Sequence, residues 1–177
     1  MTRISIFLMA VAAGLLAALG GKAISAQDKY SVQVPNGLSF SEIRGYEDWP
    51  VVAVSQVEDG LKTIVANPIA IAAYRSGSPG NGKPFPEGSK MVKIIWKPKK
   101  NSEAPFSVNV PDKLFKVEFE EKDSKKFADS GGWGWATFDY DAASDTFTGD
   151  GNDAKCGYAC HTLVAKKDFV FTAYPKR

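Results

Sequence analysis

Runs of apolar and polar positions along the chain predict strands separated by short helices. Val51 to Val57 is apolar and β-branched enough for a buried strand. Asn67 followed by Pro68 has the form of a helix cap with proline in the first turn. The helix then runs through Ile69-Ala-Ile-Ala-Ala-Tyr-Arg75 and stops at Gly77. Ser76 to Gly88 is rich in Gly and Pro and reads as a surface loop. From Met91 to Trp96 the residues alternate, with Val92, Ile94 and Trp96 on one face and Met91, Lys93 and Ile95 on the other. A lysine between Met91 and Ile95 belongs either at an edge, reaching for water, or against a cavity that holds something.

Leu114 to Glu120 alternates more cleanly, with Phe115, Val117 and Phe119 opposite Lys116, Glu118 and Glu120, so the charged set predicts a solvated face. A short helix is expected over Lys122 to Phe127, and an aromatic strand over Gly134 to Tyr140 after a double-glycine turn. Asp139 to Asp145 reads as a hairpin turn, and Asp168 to Tyr174 as a closing strand. Strict alternation of strand and helix is absent. The expected class is α+β, a mainly antiparallel β-sheet with a few short helices.

The amino terminus changes the picture of where the chain works. Arg3 precedes an apolar stretch from Ile4 to Leu19, and small residues follow at Ala23, Ser25 and Ala26. That is the pattern of a secretory leader, and cleavage is expected after Ala26, with an uncleaved membrane anchor as the alternative. The remaining 151 residues suit a single domain over 27–177. Removing the leader also removes Arg3 and Lys22, which leaves basic and acidic residues balanced at 20 each. Such balance argues against nucleic acid or an anionic membrane as partner.

The candidate chemistry lies in Lys155-Cys156-Gly157-Tyr158-Ala159-Cys160-His161, which holds the only two cysteines and the only histidine of the chain. It is nearly the attachment signature of haem c, in which two thiols add to the porphyrin vinyls and the adjacent histidine ligates iron. Three residues separate the cysteines where two are usual. In an exported chain a Cys156–Cys160 disulfide is the competing possibility. Structural zinc wants four ligands and finds three here. A cysteine nucleophile lacks an orienting third group. The acidic run from Asp139 lacks the pattern of a calcium loop, and Gly77 to Gly82 lacks the strand-to-helix setting of a nucleotide cradle. With one histidine, a bis-histidine haem within the chain is excluded. Met91, the one methionine outside the leader, is the sole candidate for a Met/His site. The simplest expectation is five-coordinate iron open to small ligands.

Taken together, Lys122-Asp-Ser-Lys-Lys-Phe127, Gly131-Gly-Trp-Gly-Trp135 and Cys160-His161 followed by Asp168-Phe-Val-Phe-Thr172 resemble the cytochrome P-460 family. That family includes the cytochromes c′-beta. The resemblance runs from about Tyr46 to the end of the chain. It implies a haem c packed against an antiparallel sheet, a homodimer and a periplasmic location. It further implies oxidation of hydroxylamine or nitric oxide, with an electron-transfer protein as partner. Cys156 and Cys160 would attach the haem and His161 would ligate its iron. Lys93 stands at what looks like the family's lysine cross-link to the haem, with Lys90 as a neighbouring candidate. Glu118 looks like the distal carboxylate that moves protons. The c′-beta members imply the alternative of nitric oxide binding or electron transfer without catalysis, and a disulfide-closed domain without haem is the third. The extra residue between the cysteines departs from the family pattern.

Overall fold

The computed structural model describes residues 26–177, so the leader predicted over residues 1–26 falls, but for Ala26, outside the described residues. The architecture is α+β and mainly antiparallel. Strands β1 (Val51–Val57), β2 (Gly60–Ala66), β3 (Lys90–Lys100), β4 (Asn109–Lys122), β5 (Trp133–Asp141) and β6 (Thr146–Gly149) form one sheet in sequential order. Every neighbouring pair is antiparallel, which makes the sheet a simple meander. Between β2 and β3 lies α1 (Pro68–Arg75), begun as the sequence predicts: Asn67 Oδ1 accepts from the Ala70 amide at 3.0 Å. The Asn67 side-chain amide also donates to Gly88 O at 2.8 Å, pinning the far end of the connecting loop to the same cap.

Side chains alternate across a strand, so in-register rows of the sheet divide into two faces. Val65, Val92, Phe119 and Ala136 share one row and face a core closed by the amino-terminal segment, where Leu38, Phe40 and Ile43 are fully buried. Each such side chain contributes about 1.5–3 kcal/mol by leaving water. That burial holds a segment whose regular structure is limited to short 3₁₀ turns. On the opposite face, Met91, Trp133 and Trp135 pack with Ala70, Ile71 and Tyr74 of α1, with Phe85 and with Val170.

Four expectations need correction. Gly60–Ala66 and Thr146–Gly149 are strands that the pattern did not announce, although the hairpin turn between Asp141 and Thr146 is where it was expected. Lys122 to Phe127 is not a helix, because Lys122 ends β4 and Asp123 Oδ1 accepts from the amides of Lys125 and Lys126, closing a turn. The 3₁₀ helix comes later, at Ala128–Ser130, and stops at Gly131 and Gly132, both left-handed. Asp168 to Tyr174 is not a strand. Asp168 and Phe169 take positive φ of 51° and 64°, which reverses the chain and drives Val170 into the core. Finally, the face carrying Glu118 and Glu120 is only partly solvated: Glu120 is buried and Glu118 about one third exposed, because the carboxy-terminal quarter of the chain lines the cavity above it.

The reversal at Asp168 is held by an ion pair. Lys122 Nζ lies 2.8 Å from Asp168 Oδ1, with both side chains nearly buried at 7% and 12% exposure, and Asp168 Oδ2 accepts from the Phe85 amide at 2.7 Å. Asp168→Asn keeps a residue that tolerates the left-handed backbone and an oxygen for Phe85, while leaving the Lys122 charge unpaired. The expected loss is about 3–5 kcal/mol in urea unfolding. A loss below about 1 kcal/mol would show that water screens the pair as it does at a surface.

Candidate functional site

A cavity of about 440 Å³ opens on the face of the sheet that α1 leaves partly uncovered. Its floor consists of two adjacent ladder rows. One row runs Ile64, Lys93, Glu118 and Thr137 across β2 to β5, and the next runs Ala66, Met91, Glu120 and Trp135. The wall is the cysteine segment, so Lys93, Glu118, Cys156, Cys160 and His161, predicted from distant parts of the sequence, all line one cavity. Lys90 does not belong to it. Three residues before Lys93, it points to the other face, where Nζ meets Glu42 O at 2.9 Å and Glu121 Oε1 at 3.1 Å.

The cysteine segment is brought to the sheet by β5. Where β6 has ended, the Trp135 amide donates to Ala154 O at 2.7 Å and Trp135 bridges to Lys155, so the chain runs along the open edge of β5 into Cys156. Gly157 allows the close approach that follows, because a Cβ there would lie 2.5 Å from Trp135 Cγ. The chain then coils through α2 (Tyr158–His161), with the Tyr158 amide donating to Lys155 O and the His161 amide to Gly157 O. Cys156 lies in the turn before α2 and Cys160 within it, and both are free thiols on the cavity wall, not joined in a disulfide. Cys156 Sγ lies 3.4 Å from Trp135 O, and burial pushes its thiol up to about 11, helped by Asp150, Asp153 and Glu118.

His161 is fixed in one tautomer. Its Nδ1 lies 2.6 Å from Phe169 O, and a carbonyl can only accept, so Nδ1 carries the proton and Nε2 keeps its lone pair. Trp135 and Phe171 hold the imidazole between them, each with its ring centre 5.0 Å away. Burial lowers the His161 pKa from its usual value, which favours the neutral form that ligates metal.

The floor is polar. Lys93 Nζ and Glu118 Oε2 pair at 2.7 Å, each side chain about one third exposed. Beside them Glu120 Oε2 accepts from Trp135 Nε1 at 3.0 Å, and burial raises its carboxyl to about 7 against the pull of that bond and of Lys93. Met91 also lines the cavity, but Tyr74 donates its hydroxyl to Met91 Sδ at 2.9 Å and so engages the thioether that a Met/His site would need. Glu120 and Trp135 were not foreseen as site residues. Their place two positions from Glu118 and beside a double glycine was the available signal.

The donor set fits a covalently held haem: two free thiols and an imidazole with Nε2 free, all lining one cavity. Among the described residues no cluster of three or more His, Cys, Asp and Glu could hold a metal ion by itself. Gly157→Ala is expected to push the segment off Trp135, since the nearest atoms belong to a buried indole that cannot yield. Covalent haem loading in a haem-competent host should fall severalfold, read as the haem-to-protein absorbance ratio. Unchanged loading would show that the close approach is dispensable.

Comparison with known sequences agrees with this site. No curated protein matches the chain. A family model described as Cytochrome P460 matches residues 43–172, a span that includes all six strands and the cysteine segment. The chain belongs to the Cytochrome P460 family, a membership that implies haem.

Proposed function

We propose that the protein is an exported haem c protein that oxidises hydroxylamine or nitric oxide at the cavity. The observation that carries this reading is the Lys93–Glu118 pair, at 2.7 Å, on the floor of the cavity whose wall presents Cys156, Cys160 and His161. Simple gas binding asks only for an apolar pocket, whereas removing electrons from hydroxylamine also requires its protons to go somewhere. Cys156 and Cys160 would hold the porphyrin through thioethers, and His161 would offer Nε2 to its iron. The bound haem would supply the redox-active iron that the reaction needs. Glu118 takes up substrate protons at Oε2, and Lys93 keeps that oxygen oriented. The family resemblance also assigns Lys93 a covalent cross-link to the haem, and its position on the cavity floor agrees with that assignment. The leader pattern supports a periplasmic location, where an electron-transfer protein would remove the electrons. A homodimer is proposed on the family resemblance alone.

The mass of the mature chain tests the first step: it should exceed the polypeptide after residue 26 by one haem, and the haem should stay bound on denaturation. A colourless, folded protein from haem-competent cells would overturn the proposal. Lys93→Leu should abolish hydroxylamine oxidation together with the red-shifted ferrous band of a cross-linked haem, and unchanged spectra would leave Lys93 an ordinary strand residue. Glu118→Gln should slow hydroxylamine oxidation by about 10²–10⁴-fold at unchanged haem content. A rate within twofold of wild type would remove Glu118 from proton transfer.

A further inference from the structure

Glu120 is a costly residue for its position. It lies on β4 with its side chain only 12% exposed, and desolvating a carboxylate is unfavourable unless its neighbours compensate. Two groups approach it, both at the same oxygen. Trp135 Nε1 donates to Oε2 at 3.0 Å, and His161 Nδ1 lies 3.4 Å from Oε2. Strand register enforces the first contact, because Glu120 and Trp135 are direct partners across β4 and β5. The second arises where α2 and the segment after it close over the sheet. Since the Nδ1 proton already points to Phe169 O, Glu120 adds negative charge beside the ring without being its principal acceptor.

We propose that Glu120 and Trp135 are positioning residues that set the electron-donating strength of His161, Glu120 raising it and Trp135 restraining it. A histidine that ligates metal is made a stronger donor when its other nitrogen faces an acceptor or negative charge. A carboxylate 3.4 Å from Nδ1 stabilises positive charge on the imidazole and on the metal it ligates, which favours the oxidised state. Trp135 draws on the same Oε2 with its N–H and so weakens that effect. The charges of Lys93 and Glu118 also act on His161, in opposite directions, and neither variant below alters them.

The proposal rests on the haem reading above and is tested on the haem-bearing protein, by ferric–ferrous potential and by the iron–histidine stretching band of the ferrous form. Both are measured at one pH for wild type and variants. Glu120→Gln keeps shape and volume while removing the charge. It should shift the ferric–ferrous equilibrium tenfold or more toward ferrous, about 59 mV for one electron, and lower the stretching frequency. Trp135→Phe removes the competing N–H and should shift both quantities in the opposite direction, which a general loosening of His161 would not do. Shifts of the same sign in the two variants, no shift in either, or loss of haem from both overturns the proposal. A wild-type protein without haem overturns the haem reading as well, whereas unresponsive variants of a haem-bearing protein overturn this proposal alone.

Discussion

Antiparallel register is the constraint on which the site depends. Because Lys93 pairs with Glu118, Glu118 with Thr137, Met91 with Glu120 and Glu120 with Trp135, the polar groups lie in two neighbouring rows whose spacing is set by the backbone. A slip of one residue in either ladder would send Lys93 or Glu118 to the opposite face, into the core closed by Leu38, Phe40 and Ile43. The apolar row Val65, Val92, Phe119 and Ala136 makes such a slip expensive, since each of those residues would have to leave the core. Packing on one face thus fixes the chemistry of the other.

The wall of the cavity is secured differently, by contacts between segments far apart in sequence. Lys122, at the end of β4, pairs with Asp168, and Asp168 reverses the chain with a left-handed backbone. Phe169 follows in the same region of φ and turns its carbonyl to His161 Nδ1. One buried ion pair therefore reaches, through two backbone conformations, the tautomer of the only histidine. From the other side Trp135 acts as a template: its amide and carbonyl hold Ala154 and Cys156, its ring packs on His161, and its face leaves no room for a side chain at residue 157.

How much of this was legible in the sequence followed from how local each signal is. Cys156, Cys160 and His161 lie within six residues, so their chemistry is readable without the fold. Lys93 drew notice because a lysine between Met91 and Ile95 breaks an apolar face, a contradiction visible in three alternate positions. Glu118 and Glu120 were misread by pattern because a charged face looks the same whether water or a distant segment covers it. The error at Asp168 to Tyr174 has a similar origin. Its apolar alternation suits a strand, but the left-handed turn at its start depends on Lys122, 46 positions earlier. The cysteine spacing worked the other way: the extra residue looks like a flaw in a linear motif, yet the turn before α2 absorbs it and both thiols reach the cavity wall.

Burying Glu120 beside the partly exposed Lys93–Glu118 pair is unfavourable for stability, since a buried carboxylate loses hydration that its neighbours do not fully replace. The sheet tolerates this because a second apolar core lies on its other face. The core on the amino-terminal side contains Leu38, Phe40, Ile43, Val92, Val117 and Phe138 at 0% exposure. A fold with a single core beneath the site would have to trade polar groups against its own packing, and each substitution toward reactivity would weaken the whole. Here the cost is confined to two ladder rows. The polar floor can therefore vary in charge while the register that positions it stays fixed.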